Sequence, residues 1–214
     1  MFFDGSWFLT YSQPWIYFYY FGNIPAITLG VISLIALLCL LAKKLRKKIP
    51  KRAAIFLILT LIIGPGFLVN SVFKSHWGRS RPRNIIQFNG EKQFSKVWVK
   101  TDGDGRSFPS GHASIGFFLF TPYFLFIKKN KNIAYSIFII GFIYGSLMGV
   151  GRVVQGAHFF SDIIWSFGIV YYTDIILYYF IKPNCCIKKN VLYFLSKKRT
   201  NLYWQKFKEK KWLC

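Results

Sequence analysis

The alternation of long apolar runs with short, almost purely basic loops constrains this chain more than any other feature. Apolar runs near residues 24–42, 53–73, 111–127, 133–150 and 162–181 each approach the length that crosses a bilayer. The loop over residues 43–52 carries seven cations and no acid, and Lys128, Lys129 and Lys131 mark the next short loop on that side. Loops of this kind stay cytoplasmic. Inside lipid, a chain with no water to bond must satisfy its backbone internally, and apolar runs of this length do so as helices. The expected fold class is therefore all-α: a polytopic transmembrane helix bundle of five spans, six if a further one precedes them.

Composition adds one exclusion. The net charge is +22, and 53% of residues are hydrophobic. Such a charge spread evenly over a soluble protein would point to nucleic acid. Here it is gathered between apolar blocks, so the bilayer is the expected partner and nucleic acid is not. Cys39, Cys185, Cys186 and Cys214 show no metal-ligand spacing, and neither zinc nor a disulfide framework is expected.

Residues 1–22 form an aromatic N-terminal segment broken by Pro14 and Gly22, suited to the headgroup region. It lacks the pattern of a signal peptide. The main domain occupies residues 23–181. Gly64-Pro65-Gly66 should kink its second span. Gly141, Gly145 and Gly149 form a small-residue stripe that lets helices approach. Residues 182–214 make a basic tail interleaved with Tyr203, Trp204, Phe207 and Trp212, expected to lie on an anionic inner leaflet.

Three polar stretches end these runs: Lys74-Ser75-His76-Trp77-Gly78-Arg79-Ser80-Arg81-Pro82, then Pro109-Ser110-Gly111-His112, then Arg152 with His158 and Asp162. The positive-inside rule puts all three on the outer face. Cations there oppose the charge bias, so an anionic ligand is their natural reason. Lys74, Arg81 and Arg152 can surround the non-bridging oxygens of a phosphoryl group. Ser110 and Gly111 open a helix, where backbone N–H groups bind anions and glycine permits close approach. His158 and Asp162 are four residues apart, which places them on one helix face if the fifth helix starts early. A carboxylate on one ring nitrogen would leave the other free to attack, with His112 as acid and base. Taken singly, a His-x-x-x-Asp pair is usually structural, Ser-Gly-His is often a helix cap, and lone cations snorkel. Their joint occurrence on one side favours catalysis. No carboxylate cluster suited to a metal is present.

Lys74-x6-Arg81-Pro82, Pro109-Ser110-Gly111-His112 and Arg152-x5-His158-x3-Asp162 together resemble the three-part signature of the type 2 phosphatidic acid phosphatase superfamily. The resemblance covers about residues 53–181. It implies a metal- and cofactor-independent α-helical membrane phosphatase with His158 as nucleophile, Asp162 as its partner and His112 as acid/base. Lys74, Arg81, Ser110, Gly111 and Arg152 would bind phosphate. Gly151 stands where the family usually has serine, which removes one hydroxyl. Members commonly have six spans against the five counted here.

The wider stretches Phe73–Pro82, Gln87–Gly90 and Gln155–Asp162 are similar to bacterial lipid A phosphatases of that superfamily, which act at the outer leaflet of the inner membrane. That implies a multi-pass inner-membrane protein with its site toward the periplasm, a membrane lipid phosphate as substrate and no obligate protein partner. Phosphatidylglycerophosphate and undecaprenyl diphosphate phosphatases share much of the pattern. Arg79, Arg83 and Arg106 would suit a substrate with several anionic groups, or would touch headgroups; His76 would line the pocket or sit at the interface. A vanadate-dependent oxidase and a lipid-binding or transport protein are the competing functions. Asp174, a carboxylate inside a span, is either functional or a packing group.

Overall fold

The computed structural model describes residues 3–39 and 50–183. Most of the basic loop at 43–52, the basic tail from residue 184, and Cys185, Cys186 and Cys214 lie outside the described residues. Among the described residues every regular element is helical and no strand forms; the isolated bridges Gly78–Gly105 and Ile85–Lys92 pair backbone across loops.

Among the described residues the long helical stretches are α1 (Trp15–Cys39), α2 (Lys51–His76), α3 (Gly111–Phe126), α4 (Lys131–Val154) and α5 (Phe160–Ile181). Four of them, α1, α2, α4 and α5, are long and apolar enough to cross a membrane. The third expected span differs. α3 has fewer than the roughly 20 residues a crossing needs, and its winding tightens at Phe118–Phe120 before Pro122. It is sheathed instead: Phe117, Phe118 and Phe120 are buried by neighbouring helices. The apolar surface left exposed lies on the long helices, through residues such as Ile27, Ile35, Ile139, Ile143, Ile164 and Ile176. A patchwork of this size is what lipid, rather than water, accommodates.

Helix ends differ from the sequence boundaries in ways that move the site. α2 continues past residue 73 because its Gly64-Pro65-Gly66 segment does not end it. Ile62–Phe73 winds as a π-helix instead, and Asn70 Nδ2 donates to Pro65 O at 2.7 Å within that wider coil. Lys74 and His76 therefore ride on the last turn. α4 starts at a true cap, Asn130, whose side chain accepts from Ile133 N at 3.2 Å. It runs on to Val154 and so carries Arg152.

The glycine stripe on α4 packs as expected. A Cβ at Gly141 would lie 2.4 Å from Phe120 N, one at Gly145 2.3 Å from the Phe117 ring, and one at Gly149 2.6 Å from Ile163. Those close approaches seat α3 and α5 against α4. Gly151 lies on another face, where a Cβ would lie 3.3 Å from the Trp15 ring of α1. The N-terminal residues form part of the fold: α1 begins at Trp15, is interrupted by a turn at Gly22 and Asn23, and is anchored when Tyr144 Oη donates to Gly22 O at 3.0 Å.

Candidate active site

The end of α2, the start of α3, the end of α4 and the start of α5 meet around one polar cavity of about 390 Å³. Lys74, Arg81, Arg83, Arg152, His112 and His158 all line it, and no carboxylate does. The three stretches singled out in the sequence are thus brought together. Burial, then Arg83 and Arg106, pull the Arg81 guanidinium down from its ordinary value. It stands among like charges with no anion between them.

Gly111 shows why this position has no side chain. A Cβ there would lie 3.0 Å from Lys74 Nζ and 2.8 Å from Asn70 Oδ1, so the lysine reaches the mouth of α3 only over a bare Cα. Ser110 caps α3, its Oγ accepting from Ala113 N at 3.4 Å, and it is fully buried. Ser166 Oγ donates to Ser110 O at 2.9 Å and ties the cap to α5.

His158 is not on a helix. Gly156 takes a positive φ of 60°, the chain reverses, and α5 starts only at Phe160. Asp162 is then the third residue of α5, where its Oδ2 accepts from Phe159 N at 2.9 Å as a capping carboxylate does. As a result the two side chains do not share a helix face, and His158 Nδ1 stands 3.8 Å from Asp162 Oδ2. The nearer acceptor is Ser107 O, 2.5 Å from Nδ1. Burial pushes the His158 imidazole down to about 4, with Lys74 and Arg152 adding to the fall and Asp162 opposing it.

Arg79 requires a correction. The sequence suggests contact with the substrate or with lipid headgroups, but Arg79 is 2% exposed and does not line the cavity. Its Nη1 pairs with Asp162 Oδ1 and donates to Ser161 Oγ at 2.9 Å, its Nε donates to Ser95 O at 3.1 Å, and its guanidinium lies 4.2 Å from the Phe159 ring centroid. His76 also stays outside the cavity: it is exposed and its Nδ1 lies 2.8 Å from Val72 O. Arg106 is exposed, and Lys92 is paired with Asp104. Among the described residues, no three histidine, cysteine, aspartate or glutamate side chains converge as a metal site would require. Asp174 is fully buried away from the cavity, where Thr121 Oγ1 donates to its Oδ2 at 3.0 Å.

Sequence reasoning missed the cavity's other wall. Thr10, Tyr11, Tyr19, Tyr20 and Gln155 also line it. Tyr19 stacks on the His112 ring with centroids 5.5 Å apart, and the Arg152 guanidinium lies 4.8 Å from the Tyr19 ring centroid. Arg152 Nη1 donates to Gln155 Oε1 at 2.5 Å, and Gln155 Nε2 donates to Thr10 O at 3.3 Å. Ser107 was missed as well. The tyrosine cluster near the N-terminus was the only signal, and aromatic clusters at a bilayer surface are too common to single out a site.

The model of the PAP2 superfamily matches residues 53–185. The chain belongs to the PAP2 superfamily. It is 42% identical over 134 residues to a lipid A 4'-phosphatase of Francisella tularensis subsp. novicida (strain U112), covering 61% of this chain and 60% of that protein. A lipid A 4'-phosphatase of Rhizobium leguminosarum is 32% identical over 121 residues, covering 55% and 51%. Phosphatidylglycerophosphatase B of Bacillus subtilis (strain 168) is 28% identical over 134 residues, covering 59% and 56%. The matches thus span between half and three-fifths of these relatives. No solved structure matches the chain. The family match starts at residue 53, so the tyrosine wall of the cavity is contributed by chain outside it.

Proposed function

We propose that this PAP2 protein is a membrane phosphatase that hydrolyses a phosphomonoester of a membrane lipid through a phosphohistidine at His158. The observation that carries the reading is the carboxylate-free cavity, where Lys74, Arg81, Arg83 and Arg152 converge beside two histidines. Unpaired cations repel one another at a cost that an anionic ligand removes, and they bind most strongly where charge builds in the transition state.

The steps follow from the positions of the groups. Nδ1 of His158 donates to Ser107 O, so Nε2 keeps its lone pair and attacks phosphorus. The P–N bond forms as the ester P–O bond breaks, and its electron pair leaves on the lipid oxygen, which takes a proton from His112. His112 then accepts a proton from water. That water attacks phosphorus, the P–N electrons return to His158, and inorganic phosphate leaves. Lys74, Arg81 and Arg152 hold the equatorial oxygens, and the backbone N–H groups at the start of α3 add a further anion site.

The favoured substrate is lipid A bearing a 1- or 4'-phosphate, at the outer leaflet of a bacterial inner membrane, with the site toward the periplasm. Support comes from the names of the Francisella and Rhizobium relatives and from Arg83, a fourth cation suited to a second anionic group. In this reading α3 crosses the membrane within the bundle as a fifth span. The Bacillus relative supports phosphatidylglycerophosphate as the second reading.

The test uses purified full-length protein and a panel of lipid phosphates without added metal. Release of phosphate from lipid A and its loss in His158→Ala are expected. Activity retained by His158→Ala rejects the nucleophile. A lipid A mass unchanged on deleting the gene, with turnover of phosphatidylglycerophosphate in the assay, transfers the substrate to the second reading.

A further inference from the structure

His158 has two surroundings. One is the cavity; the other is a buried network that does not open to it. In that network Asp162 is surrounded by donors: Arg79 Nη1 on Oδ1, and Ser107 Oγ at 2.6 Å and Phe159 N at 2.9 Å on Oδ2. We propose that Arg79 is a positioning residue for the reaction, the fixed counter-ion of Asp162, which by neutralising that carboxylate keeps His158 an uncharged nucleophile. The inference rests on His158 being the nucleophile, as proposed above.

A carboxylate beside an imidazole ordinarily favours its protonated form, because an opposite charge stabilises a charged group. A doubly protonated ring has no lone pair to offer phosphorus. Two jobs often given to one aspartate are therefore in tension: orienting the ring and leaving it neutral. Here they are divided. A carbonyl oxygen can only accept, so Ser107 O, 2.5 Å from Nδ1, puts the hydrogen on that nitrogen and leaves Nε2 free. Asp162 Oδ2 is too distant, at 3.8 Å, to compete for the same hydrogen. Its role is to hold the Ser107 loop through the serine hydroxyl, and its charge is met by Arg79.

The charged and titratable groups facing His158 are Asp162, Lys74, Arg152 and His112, with Arg79 behind Asp162. Lys74 and Arg152 also disfavour an imidazolium, but both line the cavity, and a bound phosphate would offset their charge. Arg79 cannot be neutralised that way. It is buried, bonded to Ser95 O and Ser161 Oγ, and covered by the Phe159 ring. Its effect therefore persists when substrate is bound, when the nucleophile must be neutral.

The test measures kcat and KM against pH for the full chain in detergent micelles, with Arg79→Lys and Arg79→Gln variants whose folding is followed by thermal unfolding. With the counter-ion gone, Asp162 stabilises the imidazolium. The acid limb of kcat/KM in Arg79→Gln is then expected to move up by about one pH unit or more. At the optimum, kcat falls by about tenfold to a hundredfold while KM changes little, and Arg79→Lys lies between the two proteins. A folded Arg79→Gln protein with the native acid limb overturns the inference. So does a raised KM at unchanged kcat, which would return Arg79 to the substrate.

If neither variant folds, ¹⁵N NMR of the native chain decides the matter. His158 is expected to stay neutral and protonated on Nδ1 down to about pH 5; a ring already charged at neutral pH overturns the proposal. His158→Ala separates this inference from its parent. An active His158→Ala removes the nucleophile, whereas an inactive one beside unshifted Arg79 variants removes only the role of Arg79.

Discussion

The two sides of His158 handle charge in opposite ways. In the cavity, Lys74, Arg81, Arg83 and Arg152 stand together without a carboxylate. Behind the ring, Arg79 and Asp162 are buried as a pair, with Arg79 also bonded to Ser95 O and Ser161 Oγ and Asp162 to Ser107 Oγ. The first arrangement leaves like charges facing one another across the cavity. In the second, each charge is met by a partner within the protein. A cation near an active site is therefore not evidence of substrate binding by itself. What separates Arg79 from Arg81, two residues away, is whether a protein carboxylate already meets its charge.

Asp162→Ala should have the largest effect, because it leaves Arg79 charged, buried and unpaired. A loss of about 3–5 kcal/mol in stability is expected, read from detergent or thermal unfolding, with activity lost as well. A variant that melts with the native protein would mean that the pair contributes nothing to the fold, and the contrast would fail.

Lys74→Met should show the opposite division. Activity should fall by about a hundredfold to a thousandfold, while Tm holds or rises, because Lys74 faces Arg81, Arg152 and Arg106 and no carboxylate of the described residues lines the cavity. A fall in Tm as large as that of Asp162→Ala would make Lys74 a structural cation.

Gly111→Ala sharpens the comparison at one atom. The methyl group would crowd Lys74 Nζ and Asn70 Oδ1 without altering any charge. A drop of about tenfold in kcat/KM is expected, with stability close to native. Unchanged kinetics would show that Lys74 can bind phosphate from a displaced position.

Much of this site was legible from the residues. Lys74, Arg81, Arg152, His112 and His158 converge because each lies at the end of an apolar run, and bundle topology brings those ends together. The glycines at 141, 145 and 149 were legible for a similar reason: spacing of four on a helix defines a face, and only a close neighbour requires that face to be bare. Other parts were hidden. The partnership of Arg79 with Asp162 joins residues 83 positions apart, and no local pattern records it. The tyrosine wall was hidden because aromatic residues suit a membrane interface and a cavity lining equally well. Spacing of four puts His158 and Asp162 on one helix face only if the fifth helix starts early, whereas the positive φ of Gly156 and the capping by Asp162 begin α5 at Phe160, after His158.

The sequence by itself determined the helical class of fold and which cations and histidines gather at its helix ends. Apolar length forces helices in lipid, and the polar stretches fall where those helices end. Only the tertiary structure decided which cations line the cavity and which atom orients His158. Both depend on distances across the bundle: Arg79 reaches Asp162, and Ser107 O reaches Nδ1 before the carboxylate does. Charge and spacing can be read along a chain, but the pairing of charges is settled by packing, because a buried ion is tolerated only where its partner is already in place.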